Sequence, residues 1–344
     1  MRDFTSILEA VCTGHPLDAD RASLAFAALA DGEVPHVQAA GFLAALRVKE
    51  PTIVELTAAV REMRKRMVRV TSPPGTVDIL GTGGDGKATF NVSTAAALVV
   101  ASTGVYVAKQ GNGAFSSRCG SADVLQEAGV RLTLTPTQLA SCLTEVGFCF
   151  LYAPDHHPAL RHVHEVRRGL GVRTVFNLMG PMMNAADVKR HLIGVFDQRW
   201  IVPVAETLGA LGSERALVVS SSSGMDEIAL DGPTHVAELD GGVVNEWTLD
   251  PRSLGVPAYR DEELRGASPA ANASALRSTL EGADGPFRQA TEVNAAAALY
   301  VAGKASTVAE GREIAAEALD EGAPARLLDH YSELTQSLGR SNRP

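Results

Sequence analysis

Cysteine is scarce in this chain and never paired in sequence. Cys12, Cys119, Cys142 and Cys149 are the four among 344 residues, and no two form a Cys-x-x-Cys step. That spacing supports neither a zinc site nor a disulfide framework, so a reducing, cytoplasmic compartment is expected. Long apolar runs are missing too. None approaches the ~20 residues that a bilayer-spanning helix requires, so no membrane partner is expected. The opening residues, MRDFTSILEAVC, carry acids early and lack an apolar core, so no signal peptide is expected. Positive charge is short: 31 Lys and Arg face 40 Asp and Glu, for a net charge of −9. This disfavours a sequence-independent grip on nucleic acid. A phosphorylated substrate remains compatible, because fields inside a cleft can oppose the net sign, and the acidity makes a required cation such as Mg²⁺ more plausible. Internal repeats and low-complexity tracts are also absent.

What is present is ordinary for a soluble globular protein: 45% hydrophobic and 21% charged residues. The length suggests a large α/β domain with a smaller unit. Residues 3–70 read as about four helices, with a capping-box pattern at Thr52–Glu55. The stretch SPPGT, 72–76, is a turn and a boundary. Beyond it short apolar strands alternate with helices: VDIL, then VSTAAALVVASTG, then VYVAK, then SADVLQEAG. RHLIGVF, VAETLGALG and RALVVSSS continue the alternation. The expected fold class is therefore α/β, a small N-terminal helical domain (1–72) plus a larger α/β domain (73–344) with a mostly parallel central sheet. Part of the irregular 155–190 segment, with its basic helix HPALRHVHEVRRGLG, is expected to complete the helical domain. Residues 231–290 read as short strands and loops. TEVNAAAALYVAGKA and TVAEGREIAAEALDEG read as closing helices, and LGRSNRP as a frayed end.

The chemistry gathers at GTGGDGKATFNVST, residues 81–94. It superficially fits two nucleotide motifs. A dinucleotide loop needs an acid at the end of the next strand, about 20 residues on; this strand is read as ending at Lys109. A Walker A loop needs Ser or Thr after Gly-Lys, but Ala88 follows Lys87, and Asp85 sits inside the cradle. An anion site remains. Gly81, Gly83, Gly84 and Gly86 let backbone amides approach a ligand. Asn91, Ser93 and Thr94 open a helix whose free N–H groups attract phosphate, and Lys109 lies at a neighbouring strand end. Asp85 suits hydroxyls better, so the pattern suggests a sugar phosphate. A bland helix-capping turn is the alternative for the glycines taken alone. Ser116, Ser117, Gly120 and Ser121 open a second such helix. Asp226 and Glu227, adjacent acids after a strand, suit Mg²⁺ held by one or two carboxylates, with Ser93 as a further oxygen. In the basic helix one arginine could clasp a substrate carboxylate.

With these residues assembled, the chain resembles the anthranilate phosphoribosyltransferase family over almost its whole length. The resemblance rests on GFLAALRVKE, GTGGDG…FNVST, GSADVLQEAG, HHPALRHV…VRRGLGVRTVFNLMGP, GMDE and NAAAALYVAGKA. It implies transfer of a phosphoribosyl group from phosphoribosyl pyrophosphate (PRPP) to the amine of anthranilate in tryptophan biosynthesis. Position by position, it implies that Gly81, Gly83, Gly84, Asp85, Asn91, Ser93, Thr94, Lys109 and Ser121 bind PRPP. Ser93, Asp226 and Glu227 match the magnesium ligands, and Lys109, Asp226 and Glu227 the catalytic set. Gln110, Asn112 and Arg167 fall in the acceptor site, with Gly180 and Pro181 near its channel. A homodimer through the helical domain is also implied. The chain departs from the family at Gln110, where histidine is usual, and at Gly113, where arginine is usual. It departs again at His164–Glu165, at Met182–Met183 and in the serines before Asp226. These changes gather on the acceptor side. They leave open a paralogue acting on another aromatic amine or carboxylate, or a non-catalytic homologue binding PRPP or nucleic acid. The acidic composition counts against nucleic acid, and the retained Asp226–Glu227 pair counts against lost catalysis. Pyrimidine nucleoside phosphorylases share a related fold, but the whole-chain match favours the transferase.

Overall fold

The computed structural model describes residues 2–114 and 119–340. Four helices open the chain: α1 (Arg2–Cys12), α2 (Ala19–Asp31), α3 (His36–Lys49) and α4 (Ile53–Lys65). Local chemistry sets their ends. The Asp18 carboxylate accepts from Arg21 N–H, and Gly32 ends α2 in the left-handed region. Thr52 and Glu55 form the reciprocal capping box, Thr52 N–H donating to Glu55 Oε2 at 2.7 Å and Glu55 N–H to Thr52 Oγ1 at 3.2 Å. Glu55 is fully buried, and its charge is met by Lys49 at 2.7 Å and by Leu17 N–H at 2.9 Å. Phe26 packs edge-on against Phe42 and Phe176, which ties a later segment to these helices.

After the Pro73–Thr76 turn the chain alternates. The order is β1 (Val77–Gly81), α5 (Val92–Ser102), β2 (Val107–Gly111), α6 (Ser121–Glu127), α7 (Pro136–Val146) and β3 (Phe148–Tyr152). Next come α8 (Ala153–His156), α9 (Arg161–Leu170), α10 (Val175–Met179), β4 (Arg190–Gly194), α11 (Ile201–Ala210) and β5 (Arg215–Ser221). β6 (Thr234–Asp240), β7 (Val243–Leu249), α12 (Pro269–Leu280), α13 (Pro286–Ala302), α14 (Val308–Asp320) and α15 (Ala323–Arg340) complete it. The seven strands form one sheet in the order β3-β2-β1-β4-β5-β6-β7. β1 to β5 run parallel to one another, and β6 pairs antiparallel with both β5 and the edge strand β7. The expected class, a helical unit and a larger α/β unit with a mostly parallel sheet, is what the chain adopts.

The sheet buries both faces, and the period of two sorts its side chains. Leu192, Leu217 and Val219 face a core that contains α5, α7, α13 and α15. Ile193, Ala216 and Val218 face a second core, continuous with that of α1 to α4. Helices α9 and α10 pack on α2, α3 and α4, so a segment from the middle of the chain joins the N-terminal helices.

Three expectations need correction. Residues 231–290 hold two seven-residue strands and the twelve-residue α12, because Ser268 caps a helix start with Pro269 in its first turn. A third closing helix, α15, follows the expected two. Its buried Leu328 and Tyr331 belong to the main core, and of the end expected to fray Leu338–Arg340 are helical while residues 341–344 lie outside the described residues. Finally, β2 runs to Gly111, so Lys109 lies inside the strand and not at its end.

Candidate active site

The strand order sets the place. From β1 the chain crosses to β2 on one side, and later fills β4 on the other, so the sheet's order reverses between β1 and β4. Ligand crevices in open parallel sheets lie at such a reversal, outside the carboxyl ends of the strands. Gly81 and Gly194 end β1 and β4 and pair directly in register. Both glycines are needed by what lies above them. A Cβ on Gly81 would strike the Asp226 carboxylate, and one on Gly194 would strike the Asp226 backbone carbonyl. Two missing side chains thus seat the loop after β5 in the crevice.

The glycine loop then curls through the left-handed region. Gly83, Gly84 and Gly86 have φ of 70°, 77° and 78°, and Ala88 follows at 52°. Gly83 N–H donates to Asp226 Oδ2 at 2.5 Å, and Asp85 Oδ1 accepts from Lys87 N–H at 3.0 Å. Lys87 itself turns away and pairs with Asp261 at 2.5 Å. Its place in the motif therefore fastens the loop instead of offering a phosphate ligand.

Three carboxylates converge without enough positive charge. Asp226 is buried and is pushed up to about 7, first by burial and then by the Asp85 charge. Glu227 is driven well above the usual carboxylate range by burial and by Asp226. Glu227 Oε1 accepts from Ser93 N–H at 3.0 Å, but Glu227 Oε2 and Asp85 Oδ2 are buried without a hydrogen-bond partner. Such orphaned oxygens call for a cation. Among the described residues no three His, Cys, Asp or Glu side chains close around one point. A cation held here would need its other ligands from phosphate and water, as Mg²⁺ characteristically does.

Lys109 stands beneath this group. Its Nζ donates to Ile79 O at 2.6 Å and Ser93 Oγ at 3.3 Å. Burial brings it down to about 8, against the pull of Asp78, Glu227 and Asp226. Asp78, buried in β1, is its counter-charge below the crevice. It accepts from Asn184 Nδ2 at 2.6 Å and Gln110 N–H at 3.1 Å.

The remaining candidates divide. Asn91, Ser93 and Thr94 begin α5. Thr94 Oγ1 donates to Ser121 Oγ at 3.0 Å, which joins the starts of α5 and α6. Asn91 does not cap its helix. Its Oδ1 accepts from Asn272 Nδ2 at 3.0 Å and its amide donates to Cys119 O at 3.3 Å. Gln110 is buried, and both ends of its amide are hydrogen-bonded. Nε2 donates to Gly180 O at 3.1 Å, while Oε1 accepts from Ala185 N–H at 3.2 Å and meets His157 Nε2 at 3.2 Å. Asn112 is exposed, with Oδ1 accepting from Gly113 N–H at 2.9 Å. Arg167 is half-buried on α9, 5.3 Å from the Phe176 ring centroid, with no carboxylate beside it among the described residues. Ser116 and Ser117 lie outside the described residues. The sequence reading missed Gly194, Asp78 and Arg173, whose guanidinium overlies the glycine loop at Gly84. An acid inside the apolar VDIL run was the available signal for Asp78; Gly194 and Arg173 show only in three dimensions. A cavity of about 530 Å³ between α2, α3 and α9 shares none of these residues.

Known proteins match this arrangement along the whole chain. Residues 73–325 match the family model described as glycosyl transferase family, a/b domain, and residues 5–67 the one described as glycosyl transferase family, helical bundle domain. An anthranilate phosphoribosyltransferase from Rhodospirillum rubrum is 50% identical over 93% of this chain and 92% of its own. The crystal structure of anthranilate phosphoribosyltransferase from Thermus thermophilus has a TM-score of 0.91 at 41% identity, covering 96% of this chain and 99% of that one. The Saccharomyces cerevisiae enzyme in complex with PRPP and Mg has a TM-score of 0.88 at 25% identity, covering 97% and 98%.

Proposed function

The chain belongs to the anthranilate phosphoribosyltransferase family, and on that premise we propose how its crevice carries out the family's reaction. It transfers the phosphoribosyl group of PRPP to the amine of anthranilate, with release of pyrophosphate and dependence on Mg²⁺. The observation that carries the assignment of the site is the pair of orphaned oxygens, Glu227 Oε2 and Asp85 Oδ2, beside Lys109 and the start of α5.

The C1–oxygen bond to the diphosphate breaks, the C1–nitrogen bond to the amine forms, and the amine loses a proton to solvent. An aromatic amine is unprotonated near neutral pH, so the protein need not supply a strong base. Charge and position do the work. Lys109, tethered to Ile79 O and Ser93 Oγ, presents a fixed cation to the diphosphate. Gly83, Gly84 and the first turns of α5 and α6, with Asn91, Thr94 and Ser121, line the phosphate side. Bound Mg²⁺ supplies further neutralisation of the leaving group, and Glu227, Asp226 and Ser93 would hold it. Arg167 clasps the acceptor carboxylate and Asn112 meets the acceptor edge. Gln110 acts from behind, holding Gly180 and His157 in place.

Residues 1–72 with α9 and α10 form one lobe in this reading, and the crevice opens between the lobes. Val37 and Val48, each 85% exposed on α3, support a homodimer through the helical lobe. Sedimentation of Val48→Glu should then report a monomer. The free cysteines fit a cytoplasmic home. Depletion of anthranilate fluorescence by purified protein with PRPP and Mg²⁺ tests the function. Turnover of about 1 s⁻¹ or faster is expected; no depletion, with PRPP still bound, would move the acceptor to another aromatic amine.

A further inference from the structure

Arg173 joins the two lobes with a guanidinium that has no hydrogen-bonding partner among the described residues. Three contacts hold it in place. Its carbonyl accepts from Arg47 Nη1 at 2.6 Å, which anchors its backbone to α3. Its Cζ lies 4.2 Å from the ring centroid of Phe196, two residues beyond β4. On the other side it meets the glycine loop, where a Cβ on Gly84 would come to 3.4 Å from Arg173 Nε. The residue is half-buried. Arg199, by contrast, pairs with Glu50 and Asp197.

A guanidinium that is partly desolvated, stacked on an aromatic ring and free of carboxylates is preorganised for an anion. Gly84 lies between Gly83, which donates to Asp226, and Asp85, whose Oδ2 is orphaned. Arg173 therefore faces the donor end of the crevice. Arg167, the acceptor candidate, stacks instead on Phe176. Glycine at position 84 is required by its φ of 77°, and a Cβ there would lie in ordinary contact with the guanidinium at 3.4 Å.

We propose that Arg173 is a substrate-binding residue that donates to the diphosphate of PRPP from the helical lobe and so draws the two lobes together over the bound donor. The inference rests on the proposed reaction and adds a residue to its donor site.

The test uses the full chain with Mg²⁺, varying PRPP and anthranilate separately for wild type, Arg173→Ala and Arg173→Lys. The expected result is a rise in the PRPP KM of about tenfold or more in Arg173→Ala, the scale of one lost charge-assisted hydrogen bond pair. The anthranilate KM should stay within about twofold and Arg173→Lys should recover part of the loss. The melting temperature without ligand should match wild type, while the upward shift on adding PRPP and Mg²⁺ should shrink. An unchanged PRPP KM and an unchanged PRPP-induced shift would overturn the proposal, as would a rise confined to the anthranilate KM. If Arg173→Ala fails to fold, Arg173→Gln gives the same readouts. Wild-type protein inactive on anthranilate would sink the proposed reaction, yet the PRPP-induced melting shift would still decide the role of Arg173.

Discussion

The proposed donor side of the crevice is built from backbone and strand ends, and the proposed acceptor side from side chains on two separate segments. At the donor side Gly81 and Gly194 pair in register, Asp226 fits above them, and Lys109 rises from a buried strand. The charges there are unsettled, with carboxyls pushed up and two oxygens orphaned. At the proposed acceptor side Gln110 is hydrogen-bonded through both its amide oxygen and its amide nitrogen, Asn112 is exposed and Arg167 lies over Phe176 from α9. The first arrangement stores poor electrostatics in a rigid frame, to be relieved by diphosphate and its cation. The second shapes a surface through adjustable parts. A frame of the first kind tolerates few substitutions, whereas one of the second kind can change residues and keep its shape. Of the departures from the family pattern, Gln110 falls on that second side, while Gly113 and the serines before Asp226 fall toward the first.

The largest effect should come from removing the donor charges. Asp226→Asn with Glu227→Gln should lower turnover by at least about a hundredfold, several kcal/mol of lost charge stabilisation. The melting temperature of the metal-free protein should rise, because two repelling buried carboxyls are gone. Unaltered kcat would remove the pair from the site. Next, Gly194→Ala should force the Asp226 loop upward, costing about 1–3 kcal/mol in urea unfolding and raising the PRPP KM. A wild-type midpoint would show that the seat is softer than its geometry implies. Arg167→Ala should act on the other side, raising the anthranilate KM about tenfold with the PRPP KM near wild type. Equal changes in both would erase the division between the sides.

The smallest effect concerns β4 below the crevice. His191 is buried beside Ser213, and burial holds it down to about 3, with Arg64 and Lys189 adding to the effect. The unfolded chain binds this proton near pH 6.5 and the folded one far lower. Between those values the unfolded state carries more protons, so the histidine's stabilising contribution is complete above pH 6.5 and falls away as the pH drops toward 3. His191→Gln should therefore lose less melting temperature than wild type between pH 7 and pH 5. Parallel curves would place the acid sensitivity elsewhere.

Much of the donor side was legible because its requirements are local. Gly81, Gly83, Asp85, Ser93 and Thr94 sit within fourteen consecutive residues, and left-handed turns and helix starts demand such residues at such places. Asp226 and Glu227 were legible as adjacent acids after a strand. Gly194 and Arg173 were not, since each is needed only because a distant segment arrives there. The engaged amide of Gln110 was hidden for the same reason: its partners lie 47 to 75 positions away. The helix α12 was obscured by the many turn-forming residues around it, whereas α15 carries an apolar stripe at helical spacing, Leu327, Leu328, Tyr331, Leu334 and Leu338, that was there to be read. Lys109 was misplaced by two residues, because a fully buried strand has no polar alternation to mark its end.

The central claim is that the donor lies at the reversal between β1 and β4. The most direct measurement is a crystal structure of the full chain grown with PRPP and Mg²⁺. The account predicts diphosphate within hydrogen-bonding distance of Lys109 Nζ, and a cation on Glu227 Oε2. Diphosphate bound instead in the cavity between α2, α3 and α9, with Glu227 Oε2 still unpartnered, would contradict it.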